Sequence, residues 1–153
     1  MRDKRFVAAH RGGPLTKDQH YHLMRWAREC SEHVVSLSGG NRDKRLITAL
    51  SVAKKWEMGE ATVGEARKAS LGAIAVAHES SDPLIIAVAR SIGHAVATAH
   101  MADHATGAAE YALKALKISG RSVEEERAWQ DGKLTPDISE LILTAREKRK
   151  MKR

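Results

Sequence analysis

Residues 83–118 form one nearly continuous helical pattern whose later part, residues 94–115, is built mostly from small residues. Ala95, Ala97, Ala99, Ala102, Ala105, Gly107, Ala108, Ala109 and Ala112 place small side chains on nearly every side of it. A helix small on all sides gains little from facing water, but it lets neighbouring backbones come very close. Its natural place is the middle of a helical bundle. As a single rod the segment would be about 54 Å long at ~1.5 Å per residue. The flanking helices are about half that length and could not cover it, so a break is expected near residues 100–104. Asp103 is then placed to cap the second half.

The rest of the chain fits that plan. Hydrophobic residues make up 42% of the 153, yet aromatics only 4%. The core must therefore be built from alanine, valine, leucine and isoleucine, which favours packed helices over a sandwich. Residues 1–14 read as an irregular arm, because "RGGP" at residues 11–14 interrupts helix. Thr16 with Gln19, and Thr62 with Glu65, are capping-box spacings. Asp82 followed by Pro83 is a capped start with proline at the first helical position. Leu23, Trp26, Ala27, Cys30 and Val34 stripe a first helix, which "SGGN" at residues 38–41 ends. Leu46, Ala49, Leu50, Ala53 and Trp56 stripe a second. Val63, Ala66, Ala69, Ala73 and Ala77 are expected to face inward from a third. Ser122 with Glu125 begins a short charged helix, and Thr135–Pro136 a last one carrying Ile138, Leu141, Ile142 and Ala145. No strand-like alternation occurs. The expectation is an all-α, single-domain bundle of about seven helices with an alanine-rich central pair. The domain spans residues 15–145, and residues 146–153 are a basic tail continuing the last helix.

Charge and cysteine narrow the function classes. The net charge is +7, but it sits at the ends: residues 146–153 carry six basic side chains against one Glu, and residues 1–5 three against one Asp. The body between them is neutral. A folded nucleic-acid-binding surface would carry its charge on the body, so nucleic acid is left only weak contact through the tail. The single cysteine, Cys30, cannot form an internal disulfide and lies on an apolar stripe, which fits a buried thiol in a reducing cytoplasm. No apolar leader and no membrane-length span is visible.

Two constellations invite a functional reading. His94, His100, Asp103 and His104 carry imidazoles and a carboxylate, and His100 and His104 share a helical face four residues apart. Such a pair can bind zinc, but the residue after His100 is Met101, where zinc proteases place a glutamate. On an ideal helix Asp103 lies about 100° around from His104, and His94 about 80°. A metal-dependent enzyme built on these four residues would need the break to turn them inward. The alternative is structural, with imidazoles pinning polar backbone groups freed at the break. The second constellation is the row His22, Trp26, Glu29 and His33 on the first helix, read either as a partner-contacting stripe or as a packed flank. No nucleophile elbow or phosphate-cradling loop occurs elsewhere, so no catalytic residue and no cofactor is assigned.

The segments "LTKDQHYHLMRWARECSEHVV", "RLITALSVAKKWEMGEATVGEARKASLGAIAVAHE" and "SIGHAVATAHMADHATGAAEYALKA" resemble, in order, a bacterial family of immunity proteins that accompany polymorphic toxins. The resemblance implies an all-α cytoplasmic protein that binds and neutralises a cognate toxin without chemistry of its own. It carries over no catalytic residue. A neutral body argues against an acidic plug that mimics a nuclease substrate and favours steric occlusion by a helical face. Two other roles stay open: the metal-dependent enzyme above, and a helical accessory protein working through its basic tail. A small-residue face can also be covered by a second copy, so a homo-oligomer is compatible with the pattern.

Overall fold

The computed structural model describes residues 3–39 and 43–151. Met1 and Arg2 of the arm, Gly40 and Asn41 of the "SGGN" stop, and Lys152 and Arg153 of the tail lie outside the described residues. Among the described residues there are seven α-helices: α1 (Lys17–Val35), α2 (Lys44–Glu57), α3 (Val63–Glu79), α4 (Pro83–Ala97), α5 (His104–Ile118), α6 (Val123–Gly132) and α7 (Pro136–Met151). None forms a sheet; the one β-type contact is an isolated bridge between Ala8 and Leu15.

Local chemistry sets the helix starts. Thr16 and Thr62 each accept from the backbone N–H three residues on, while Gln19 and Glu65 reach back to the cap N–H. Two of the orphan donors at each helix start are thereby satisfied. Asp82 accepts from the Leu84 N–H with Pro83 behind it, and Ser122 accepts from the Glu125 N–H. The N-terminal segment is irregular but folded onto the domain: two 3₁₀ turns, Lys4–Phe6 and Ala9–Arg11, bury Phe6 and lead into fully buried Leu15.

The alanine-rich pair is the centre. α4 packs most extensively on α5 and α3, and both α1 and α2 also cover it. From Ala87 onward α4 is buried on almost every side. Small size is what permits this. A Cβ added at Gly93 would sit 3.1 Å from Ile74 Cγ1, and Ser70 Oγ donates to the Gly93 carbonyl at 3.0 Å. At the crossing of α1, α4 and α5, Ser31 and Ser91 share a hydrogen bond of 2.8 Å, and Ser91 Oγ donates to the Ala108 carbonyl. Hydroxyls this small satisfy themselves on neighbouring backbone without holding the helices apart.

Two expected details differ. Val63 is 41% exposed, because it opens α3 one turn before the stripe begins at Ala66. Asp103 does not cap α5 through its side chain. Its φ of −67° and ψ of −13° are already helical, whereas a capping residue needs extended backbone to aim its carboxylate at the helix start. The break is closed by backbone instead. His100 and Met101 N–H groups donate to the Ala97 carbonyl, and His104, Ala105 and Thr106 donate to carbonyls three residues back. Among the described residues, no helix is long and apolar enough to cross a membrane.

Candidate functional site

The break between α4 and α5 folds the histidines toward one another. His94, from the last turn of α4, and His104, the first residue of α5, approach with their Nδ1 atoms 2.9 Å apart. One of these nitrogens must donate and the other accept, so at least one ring is neutral. His94 also stacks on Tyr111, with ring centroids 5.2 Å apart, and the His100 ring lies 5.4 Å from that of His104. Burial, reinforced by repulsion from His104, pushes the His94 imidazole down to a pKa of about 4.

The pin on the break comes from elsewhere in the chain. His20, 6% exposed on α1, donates from Nε2 to the Thr98 carbonyl at 2.6 Å, a carbonyl left without a helical partner where α4 ends. Burial lowers the His20 pKa, partly opposed by that bond. A polar pin at the break was expected, but its source was not: α1 supplies it.

As a reaction centre this seam is poorly furnished. The Nδ1 atoms of His94 and His104 face each other, and no group of three or more His, Cys, Asp or Glu side chains among the described residues is arranged to hold an ion. The cavity touching His20, His100, Met101 and Asp103 has a volume of about 70 Å³, room for a water or two and no substrate. Cys30 is fully buried, and desolvation drives its thiol pKa far above the ordinary range.

Titration of the seam gives the first test. A histidine whose folded pKa lies below its unfolded value is protonated more readily in the unfolded chain. The stability this confers is complete above pH 6.5 and drains away as pH falls toward 4. Between pH 7 and pH 5, His94 alone is expected to cost about 2 kcal/mol, and His20 adds in the same direction. Urea melts across that range, repeated on His94→Gln, check this: the variant's stability should fall less steeply with acid.

Gly107 gives the second. A Cβ there would lie 2.7 Å from His94 Nδ1, and the ring is held by His104 and Tyr111. Gly→Ala inside a helix ordinarily stabilises by about 0.5–1 kcal/mol. At Gly107 the sign should reverse, to a net loss of about 1–2 kcal/mol from overpacking. Gly132→Ala, with no atom within 4 Å, keeps the ordinary sign. Thermal melts of the two variants decide.

The row on α1 sits against the C-terminal helices. His22 Nδ1 lies 2.6 Å from Asp137 Oδ2 on α7, and His33 Nδ1 is 2.6 Å from Glu126 Oε2 on α6. His33 also stacks flat on Trp129, with centroids 3.6 Å apart and planes 9° off parallel. Trp26 is 1% exposed, and its Nε1–H donates to the Gln130 carbonyl at 2.7 Å. Its indole is therefore covered by α6 and α7. Glu29 is half-buried. Two residues that sequence reasoning left out complete the clamp. Gln130, fully buried, donates from Nε2 to the Ala109 carbonyl on α5 and accepts at Oε1 from Arg146 at 2.5 Å. Arg146 also reaches Asp131 at 3.1 Å and places its guanidinium 5.2 Å from the Trp26 ring centroid. The available signal was spacing: Arg146 falls four residues after Ile142 and eight after Ile138, on the buried stripe of α7.

The clamp holds α6 and α7 against the pair formed by α1 and α5, so the outer surface made by α5, α6 and α7 has a fixed shape. No curated protein and no solved structure matches this chain. A protein-family model described as "Imm-5 like putative immunity protein" matches residues 13–137. That span takes in the α1 row, the central pair, the histidine seam and α6, and it ends as α7 begins. The chain belongs to this Imm-5 like family.

Proposed function

We propose that the protein is a cytoplasmic immunity protein that neutralises a cognate toxin by binding and covering it, with no chemistry of its own. Membership of the family over residues 13–137 is the observation that carries this reading. Three features support it: the inert thiol of Cys30, the closed histidine seam, and an interior spent on close helix packing. The row His22, Trp26, Glu29 and His33 then serves partner binding indirectly, by fixing α6 and α7. Occlusion has a quantitative signature. Mixed with the purified product of an adjacent toxin-like gene, the protein should form a stable complex and abolish toxin activity at a stoichiometric ratio. A folded chain that leaves the toxin fully active would overturn the proposal. Inactivation of many toxin equivalents by one chain would show a catalytic mechanism instead.

A further inference from the structure

We infer that the channel between α5, α6 and the end of α7 docks an acidic segment of the partner protein, an inference that rests on the partner being a protein toxin. The channel has a volume of about 940 Å³. Lys114 and Lys117 of α5, Arg121 of the following turn, Arg127 of α6 and Arg149 of α7 line it, against the two carboxylates Glu110 and Glu124. One of those carboxylates is already matched, since Arg149 lies 3.7 Å from Glu110. Among the described residues, Lys117, Arg121 and Arg127 take part in no ion pair. In a chain whose body is neutral overall, this puts uncompensated positive charge on one wall.

Helix electrostatics account for part of it and no more. A lysine in the last turn of α5 faces the negative end of that helix and is favoured there. The same argument covers Arg149 in the last turn of α7, but it gives no reason for Arg127 in the middle of α6, nor for all three helices to turn cations toward one space. Three helices deliver cations to one channel, and the clamp beneath them holds the spacing. Unmatched like charges weaken a fold; an anionic partner relieves that cost, and the field they create speeds its arrival.

Protein carboxylates suit the channel better than nucleic acid does. Tyr111 is the channel's aromatic ring, and it is already engaged: His94 stacks on it, and Arg90 and Lys114 lie 5.9 and 6.0 Å from its centroid. A ring with three neighbours already on it is a poor platform for a base to stack on. Ile118, 41% exposed on the channel wall, offers an apolar contact among the cations. The expected occupant is a stretch of Asp and Glu flanking an apolar side chain.

The test is a charge-reversal triple, Lys117→Glu with Arg121→Glu and Arg127→Glu, in the full chain. A matched control reverses Lys54, Arg67 and Lys68 on α2 and α3. Both variants should fold, since five of the six positions are exposed and the sixth, Arg127, is half-buried. Affinity for the adjacent toxin-like product is measured by calorimetry at about 50 and about 300 mM salt. The channel triple should weaken binding by about a hundredfold or more and flatten its salt dependence, while the control changes it only a few-fold. If the wild-type chain binds the toxin and the channel triple binds as well as the control, the channel assignment fails and the immunity reading stands. If the wild-type chain binds no toxin, both fail. Saturable binding of a labelled RNA duplex or single-stranded DNA of about 20 nucleotides at about 150 mM salt, lost in the channel triple, would also overturn the assignment and make the channel a nucleic-acid site.

Discussion

Replacing Trp26 by alanine is expected to lower the unfolding free energy by about 4 kcal/mol, within the range for truncating a buried aromatic. Three losses add up at this position. The indole is 1% exposed, so its removal leaves a cavity between α1, α6 and α7 that small neighbours cannot fill. Its N–H satisfies the Gln130 carbonyl at 2.7 Å. Its face carries the Arg146 guanidinium. Urea denaturation gives the magnitude, and hydrogen exchange gives the location: amides of α6 and α7 should lose protection before those of α4 and α5. A side chain serving only as a surface anchor for a partner would behave differently, with stability unchanged within about 0.5 kcal/mol and toxin affinity lost. That pattern would sink the clamp.

The contrast shows what a helical period can and cannot tell. Period 3.6 placed Leu23, Trp26, Ala27, Cys30 and Val34 on a buried stripe, and all five are buried. The same period put Trp26 on a row with His22, Glu29 and His33, since a bulky residue at the stripe's edge belongs to both faces. Which face water sees depends on whether a distant helix covers it, and α6 and α7 begin about a hundred residues later. Spacing rules act within one helix and carry no information on that.

The break between α4 and α5 was legible for a different reason. It followed from length, because no neighbouring helix could cover a rod of that span. Its chemistry was not legible in full. That imidazoles would gather at the bend could be read from the local stretch, and His94, His100 and His104 do gather there. The bond to the Thr98 carbonyl joins residues 78 positions apart, which no local pattern encodes. The channel was hidden by summation. Cations in α5 and α6 are balanced along the chain by acids on other faces, so the neutral sum over the body concealed a local excess. Charge acts over about 10 Å in salt, a scale set by the fold and not by sequence distance.

Arg146 supplies the second large effect, and it separates a clamp residue from a tail. Read along the chain, it begins a run of six basic side chains, and every member of a solvated run should be dispensable. In the fold its side chain is only 10% exposed, and burial pulls its pKa down against the pull of Asp131. Arg146→Ala leaves the Gln130 Oε1 atom buried without its donor, frees Asp131 from its partner and uncovers the Trp26 face. The expected cost is about 3 kcal/mol, the scale for removing one member of a buried charged network. Arg146→Lys should recover only part of it, because a single ammonium cannot span Gln130 and Asp131 while lying flat on an indole. Lys148→Ala and Lys150→Ala, both exposed, should stay within about 0.5 kcal/mol of wild type. Combined with Trp26→Ala, the Arg146→Ala loss should be less than additive, since the two side chains touch and each single change already destroys their shared contact. Chains ending after residue 147 and after residue 145 give the same answer by deletion. The first should melt close to the full chain and the second several degrees lower; equal melting would return Arg146 to the tail.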